Sequence, residues 1–160
     1  MSLTINSTSY IDDLDLWQAS LSSLPDLDYP NLSYKEQDKG RHFCTDENAL
    51  NQVKDSFDTS VIDTKISVPY YIHLEIIKNE PGFNLIPHYD NSNMLGVIII
   101  NLIDSKTSTE FYNNQNVKIG QAPTSLSKGI MYLNNFDFKH GYNNTTNNNR
   151  YIAICIIYKK

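Results

Sequence analysis

His88 and Asp90 stand one residue apart at the end of the run Pro81-Gly82-Phe83-Asn84-Leu85-Ile86-Pro87-His88-Tyr89-Asp90. In an extended segment, side chains two apart leave the same face, so this imidazole and this carboxylate can reach one bound atom. A second imidazole, His140, lies downstream, and ten residues beyond it Arg150 heads the apolar run Tyr151-Ile152-Ala153-Ile154-Cys155-Ile156-Ile157-Tyr158. Two histidines and one carboxylate on one side of a metal, with open positions opposite, suit non-haem Fe(II). A lone His-x-Asp carries little weight. The joint arrangement carries more: a pair at a strand end, a later His, and an Arg opening the last strand.

These residues need elements that bring them together, and the chain after residue 68 supplies a run of strand signals. Tyr70 to Ile77 alternates in the manner of a strand and ends at the turn Asn79-Glu80-Pro81-Gly82. Leu85 to Asp90, Leu95 to Leu102, Thr109 to Tyr112, Ile130 to Asn134, Phe138 to Tyr142 and Arg150 to Tyr158 follow. Asn-, Ser- and Gly-rich turns separate them, and Asn suits such turns because it tolerates left-handed backbone. Short antiparallel strands in this number point to a jelly roll of two antiparallel sheets, in which late strands return beside early ones.

The first 66 residues read differently. Leu14, Trp17, Leu21 and Leu24 fall three and four apart, the stripe of an amphipathic helix closed by Pro25. A second helix is expected from about Thr45, with Asp46 and Glu47 at its positive end and Leu50, Val53 and Phe57 as its apolar stripe. Residues 1–10 read as frayed or as an edge strand, and 25–43 as loop with at most a short strand. The expected organisation is one domain over 1–160, mainly β with N-terminal helices: 1–66 a helical support, 67–160 the jelly roll.

Composition narrows the function classes. The chain is 40% hydrophobic and 19% charged, with a net charge of -5, as in a soluble globular protein. Residues 1–66 hold twelve acidic and five basic side chains, and residues 67–160 hold six and eight. Neither half has the basic stripe that nucleic-acid binding needs, whereas a small anionic ligand is acceptable in the second. No apolar run is long enough to span a bilayer, and the N-terminus shows no secretory signal. A reducing, cytoplasmic setting is therefore expected. Cys155 reads as a small buried side chain within a strand, and Cys44 has no evident place.

From about residue 71 to 158 the sequence resembles the Fe(II)/2-oxoglutarate-dependent oxygenases, in their prolyl-4-hydroxylase-like branch. The resemblance rests on Gly82 six residues before His88-x-Asp90, and on the Thr109-Glu110-Phe111 strand. It also rests on Gly129-Ile130-Met131-Tyr132-Leu133-Asn134, and on His140 followed by Arg150. It implies a double-stranded β-helix with His88, Asp90 and His140 as Fe(II) ligands, and with 2-oxoglutarate and O2 as cosubstrates. Ascorbate is a further reductant that the family admits. Arg150 would hold the far carboxylate of 2-oxoglutarate through a guanidinium fork. Asn79 stands where the family often places a Tyr that helps bind that carboxylate, and Lys106-Thr107 replace two glycines before the Thr-x-Phe strand.

The reaction so implied is hydroxylation of a C–H bond in a peptidyl residue of prolyl type, releasing succinate and CO2. A free amino acid or small metabolite is the alternative substrate. A carboxylate ligand at Asp90 argues against halogenation. A jelly roll that holds a structural metal or a sugar is the rival of another class, and a metal-free interaction domain is a third; a structural site would not need Arg150. Other residues read blandly: His73 as a satisfied barrel histidine, His42 as exposed and unpartnered, Tyr89 as packed on the far side of its strand. Tyr132 and Asn134 read equally as pocket, core or turn residues.

Overall fold

Two sheets face each other, and the longest apolar runs of the chain lie at the centre of the larger one. The computed structural model describes residues 2–160. The larger sheet has eight strands: β1 (Leu3–Ile5), β2 (Leu16–Leu21), β3 (Tyr34–Asp38), β4 (Arg41–Cys44), β5 (Tyr70–Asn79), β7 (Met94–Asn101), β10 (Lys128–Leu133) and β12 (Arg150–Lys159). The smaller has four: β6 (Asn84–His88), β8 (Glu110–Tyr112), β9 (Lys118–Gln121) and β11 (Lys139–Asn143). Their orders are β1-β2-β10-β7-β12-β5-β4-β3 and β6-β11-β8-β9, and every pairing is antiparallel. This is the expected jelly roll.

β7 and β12 are apolar at nearly every position because both faces of the large sheet are covered. Ile98, Ile100, Ala153, Cys155 and Ile157 belong to one buried cluster with Trp17, Val53 and Ile62. Val97, Ile99, Ile152 and Ile130 belong to another with Phe111 and Phe138 of the smaller sheet. Side chains alternate along a strand, so a strand covered twice must be apolar at both parities. Cys155 is buried as expected, and Cys44, which the sequence left unplaced, is buried on β4.

The N-terminal region departs from expectation. More of its first 66 residues lie in strands than in helices, and the helix expected over residues 12–24 is absent. Asp12 and Asp13 take φ of 40° and 57°, a left-handed geometry that no right-handed helix admits. β2 follows instead, aligned with β10 from Leu16↔Tyr132 to Ser20↔Lys128. Trp17, Ala19 and Leu21 share one face of it by period two, and Trp17 is a core residue as a strand member. Within the stretch 25–43, read as loop with at most a short strand, and one residue beyond it, the chain forms the β3–β4 hairpin, which turns at Gly40 with φ +85°. The second helix is present as α1 (Glu47–Lys54), with Asp46 as its cap accepting from the Ala49 N–H at 3.1 Å. It is two turns long, and a single-turn α2 (Thr59–Ile62) follows. β1 is the edge strand, and β9 was not foreseen. Among the described residues no helix is long and apolar enough to cross a membrane.

Candidate metal centre

β6 ends at His88, and the turn before it sets its direction. Phe83 N–H donates to the Glu80 carbonyl at 3.1 Å across Pro81-Gly82, and Gly82 takes φ +85°. This is the geometry in which Pro presets the second residue of a turn and Gly supplies positive φ at the third. β6 then pairs with β11 so that His88 lies directly across from His140. The two rings stand 4.4 Å apart, centroid to centroid, as expected of a cross-strand pair. Asp90, just beyond the strand end, turns its Oδ1 towards both: 3.4 Å to His140 Nε2 and 3.7 Å to His88 Nε2. The three donor atoms lie within 4.8 Å of one another.

The protonation pattern suits a divalent metal. His88 Nδ1 lies 2.7 Å from the Ile86 carbonyl; a carbonyl only accepts, so Nδ1 carries the proton and Nε2 presents its lone pair to the site. Burial, with the neighbouring His140, lowers the pKa of His88 and favours the neutral ligating form. Burial alone would raise the Asp90 carboxyl, but the hydrogen bond and charge of His140, with Tyr132 and His88, outweigh it and hold the carboxyl below its ordinary value. Tyr132 donates to Asp90 Oδ2 at 2.7 Å and stands 3.1 Å from His140 Nε2. That phenol leaves Oδ1 to the metal and occupies Oδ2, which favours single-oxygen ligation and open positions opposite. The donor set of two imidazoles and one carboxylate therefore fits Fe(II).

Asn134 Nδ2 donates to the carbonyls of Asn91 and Met94 at 2.7 and 3.0 Å, which ties the loop carrying Asp90 to the end of β10. Tyr89 packs edge-on against Phe136 and donates to Asn114 Oδ1, away from the ligands.

Arg150 opens β12 at the floor of the same cavity, which has a volume of about 150 Å³ and is also lined by His88, Asp90, His140, Tyr142 and Thr109. The guanidinium is 2% exposed. It donates to Thr109 Oγ1 at 3.1 Å and lies over the Tyr142 ring at 3.9 Å. Its Nε has no partner, and among the described residues no carboxylate pairs with it. Burial lowers its pKa from 12.5 to about 10, against the opposing pull of Tyr142 and with the help of Arg41.

Arg41, on β4, lines the cavity as well and escaped the sequence reading. No local signal marks it, because its strand exists through pairing with β5. Asn79 stands directly across from Arg150 on β5. It does not line the cavity; its Oδ1 accepts from Arg41 Nε at 2.9 Å, and its buried Nδ2 has no partner.

Two histidines differ from expectation. His42 is half-buried and partnered, 2.5 Å from Glu80 Oε1 and 3.5 Å from Glu36 Oε2, because the β3–β4 hairpin folds it against the end of β5. His73 is exposed at the outer end of β5, with Glu75 Oε1 at 3.4 Å.

No family model matches the chain, and no curated protein matches its sequence. Solved structures do match in fold. A prolyl-4-hydroxylase of Pseudomonas putida superposes with a TM-score of 0.64 at 8% identity, covering 92% of this chain and 94% of that one. A prolyl hydroxylase of Trichoplax adhaerens, in complex with a hypoxia inducible factor peptide fragment, gives 0.57 at 16% identity over 86% and 70%. SnoN, a non-haem alpha-ketoglutarate-dependent epimerase from nogalamycin biosynthesis, gives 0.62 at 9% identity over 81% and 67%. The chain thus shares the fold of 2-oxoglutarate-dependent Fe(II) oxygenases, as its sequence resemblance implied.

Proposed function

We propose that this protein is an Fe(II)- and 2-oxoglutarate-dependent oxygenase that hydroxylates a C–H bond of its substrate. The observation that carries this reading is Arg150. A buried guanidinium without a carboxylate is costly, and this one faces the cavity that also holds two histidines and an aspartate. A small dianion with one end at the triad and the other at Arg150 would repay that cost. A structural metal site would call for no such cation.

Bound Fe(II), with 2-oxoglutarate and O2, would supply the oxidising chemistry that replaces C–H by C–OH and releases succinate and CO2. His88, His140 and Asp90 would hold the metal, and Tyr132 would keep Asp90 turned to it by one oxygen. Arg150 would take the far carboxylate by paired hydrogen bonds, using the Nε–H that now has no partner. Arg41 would add a second positive charge to that end of the cavity, held in place by Asn79. The apolar walls from Ile152, Ile154, Val97 and Ile99 would exclude water and strengthen each of these interactions.

For the substrate, the sequence resemblance and the two hydroxylases of the same fold favour a peptidyl residue of prolyl type. SnoN shares the fold and is named an epimerase, and a small metabolite is the second reading. Under anaerobic conditions, Fe(II) plus 2-oxoglutarate should give a weak visible charge-transfer band that is absent in His88→Ala. Adding O2 should then yield succinate. Protein that binds neither metal nor 2-oxoglutarate and makes no succinate would refute the proposal.

A further inference from the structure

One carboxylate in the cavity wall has no task in the chemistry above. β5 and β12 run side by side, with Arg150 opposite Asn79 at one end, Ile154 opposite Glu75 in the middle, and Tyr158 opposite Tyr71 at the other. Residues two apart share a face, so all of these lie on the face of the larger sheet that looks towards the smaller one. Exposure climbs along the pair, from 2% at Arg150 to 52% at Tyr71. Arg150 is therefore at the enclosed end of this face and the tyrosines, which lie beyond the cavity lining, at its exposed end. Glu75 lines the cavity between them.

Glu75 is poorly compensated where it stands. Its cross-strand neighbour is Ile154, with Ile156 next along the same face. Its side chain is 21% exposed, and the one titratable side chain within ion-pair distance of it among the described residues is His73, with Nε2 at 3.4 Å on a side chain that is itself 55% exposed. Arg41 feels the same carboxylate through space, but its Nε is taken by Asn79 and its guanidinium lies over the Phe83 ring at 4.6 Å. A carboxylate set among isoleucines, partly withdrawn from water, gains most from a cation that arrives with its own hydrogen-bond donors.

The rim above it is aromatic. Tyr71 and Tyr158 stack with centroids 5.3 Å apart and planes at 24°. Burial, then the charge of Glu75, then Tyr71 and Asp90, raise the Tyr158 phenol, so this ring lies within electrostatic reach of both Glu75 and the metal-site aspartate. Aromatic faces beside a carboxylate are a known surface for ammonium and guanidinium groups. Glu75 and Arg150 are four rungs apart, about 13 Å along a strand. A cation at Glu75 and an anion at Arg150 therefore belong to different molecules, or to well-separated ends of the space.

We infer that the substrate to be oxidised carries a positively charged amine or guanidinium, received by Glu75 under the Tyr71–Tyr158 pair, near the C–H bond presented to the metal centre. This rests on the oxygenase reading above and specifies its substrate class. A basic amino acid or amine would satisfy it directly, and a peptide would do so through a lysine or arginine at or beside the target residue.

The test uses matched pairs: L-arginine against L-citrulline and L-lysine against L-norleucine, each also as its N-acetyl amide. Binding is followed by ligand-observed NMR on anaerobic Zn(II)-loaded full-length protein with 2-oxoglutarate, and turnover by succinate release from the Fe(II) form. In each pair the charged member should bind about tenfold or more tightly and should raise succinate above the compound-free level. Glu75→Gln, of the same shape, should shrink the preference to less than about twofold, and Glu75→Lys should turn it towards the neutral member. Equal binding of charged and neutral members by the native protein would overturn the inference, as would a preference that survives in Glu75→Gln. Succinate made without any added compound reports on the oxygenase reading separately. Protein that binds neither metal nor 2-oxoglutarate and makes no succinate with or without these compounds would sink that reading, and the binding preference would still judge the cation site.

Discussion

Arg150→Met is the perturbation whose sign separates a ligand-binding role from a structural one. The lowering of the Arg150 pKa from 12.5 to about 10 corresponds to about 3 kcal/mol spent keeping the guanidinium charged in the fold. Both folded and unfolded states are protonated at neutral pH. The whole cost is therefore present there, and it would fade only as pH rose from about 10 towards the unfolded value. Against it stands a hydrogen bond to Thr109, about 1–2 kcal/mol, the pull of Tyr142 being already contained in the lowered pKa. Methionine fills similar volume without charge. The ligand-free variant should then be more stable than the native protein by about 1–2 kcal/mol, or about 3–6 °C in Tm for a chain of this size. The native protein should gain about 2.7 kcal/mol when 2-oxoglutarate is present at a hundredfold its Kd, and the variant should gain none at the same concentration. Scanning calorimetry of both proteins, each metal-loaded and with and without 2-oxoglutarate, reads all four values. A variant that melts lower yet keeps the 2-oxoglutarate shift would refute the argument, because Arg150 would then be a packing residue.

Other outcomes follow from the same geometry. His88→Ala should lose the metal-induced rise in Tm together with the visible band, since two remaining ligands do not hold the ion; metal content after gel filtration checks this. Tyr132→Phe should weaken metal affinity by about 10- to 100-fold while leaving the fold intact, because it frees Asp90 Oδ2; competition with a chromophoric chelator measures it. Gly129→Ala should cost about 3 kcal/mol or more, since its Cβ would fall 1.8 Å from the Ile99 carbonyl oxygen in the neighbouring strand; the urea midpoint should drop accordingly.

The strands that build the site announce themselves locally. β5, β7, β10, β11 and β12 each carry apolar alternation or an apolar run bounded by turn residues, and their observed limits lie within two residues of those read from the sequence. The two-residue spacing of His88 and Asp90 places both on one face where the backbone stays extended, and past the end of β6 that direction is held by Asn134. The stripe Leu14, Trp17, Leu21, Leu24 shows the opposite case. It fits a helix as well as Trp17, Ala19, Leu21 fits a strand, and pairing with β10 selects the strand. Arg41 and the partners of His42 were hidden for the same reason: a hairpin of polar residues becomes sheet because β5 offers it an edge.

Backbone stereochemistry and hydrophobic periodicity act over a few residues, and so the chain's order alone carried the strands of the jelly roll other than β9, the candidate ligands and the cation at the head of the last strand. Which imidazole stands across from His88, which oxygen of Asp90 Tyr132 occupies, and that Arg150 lacks a counter-charge all depend on atoms separated by tens of residues. Glu75 is the sharpest instance. In the sequence it is one polar residue in an alternating strand, and it becomes a binding group because β12 lays isoleucines beside it and the smaller sheet closes the space above.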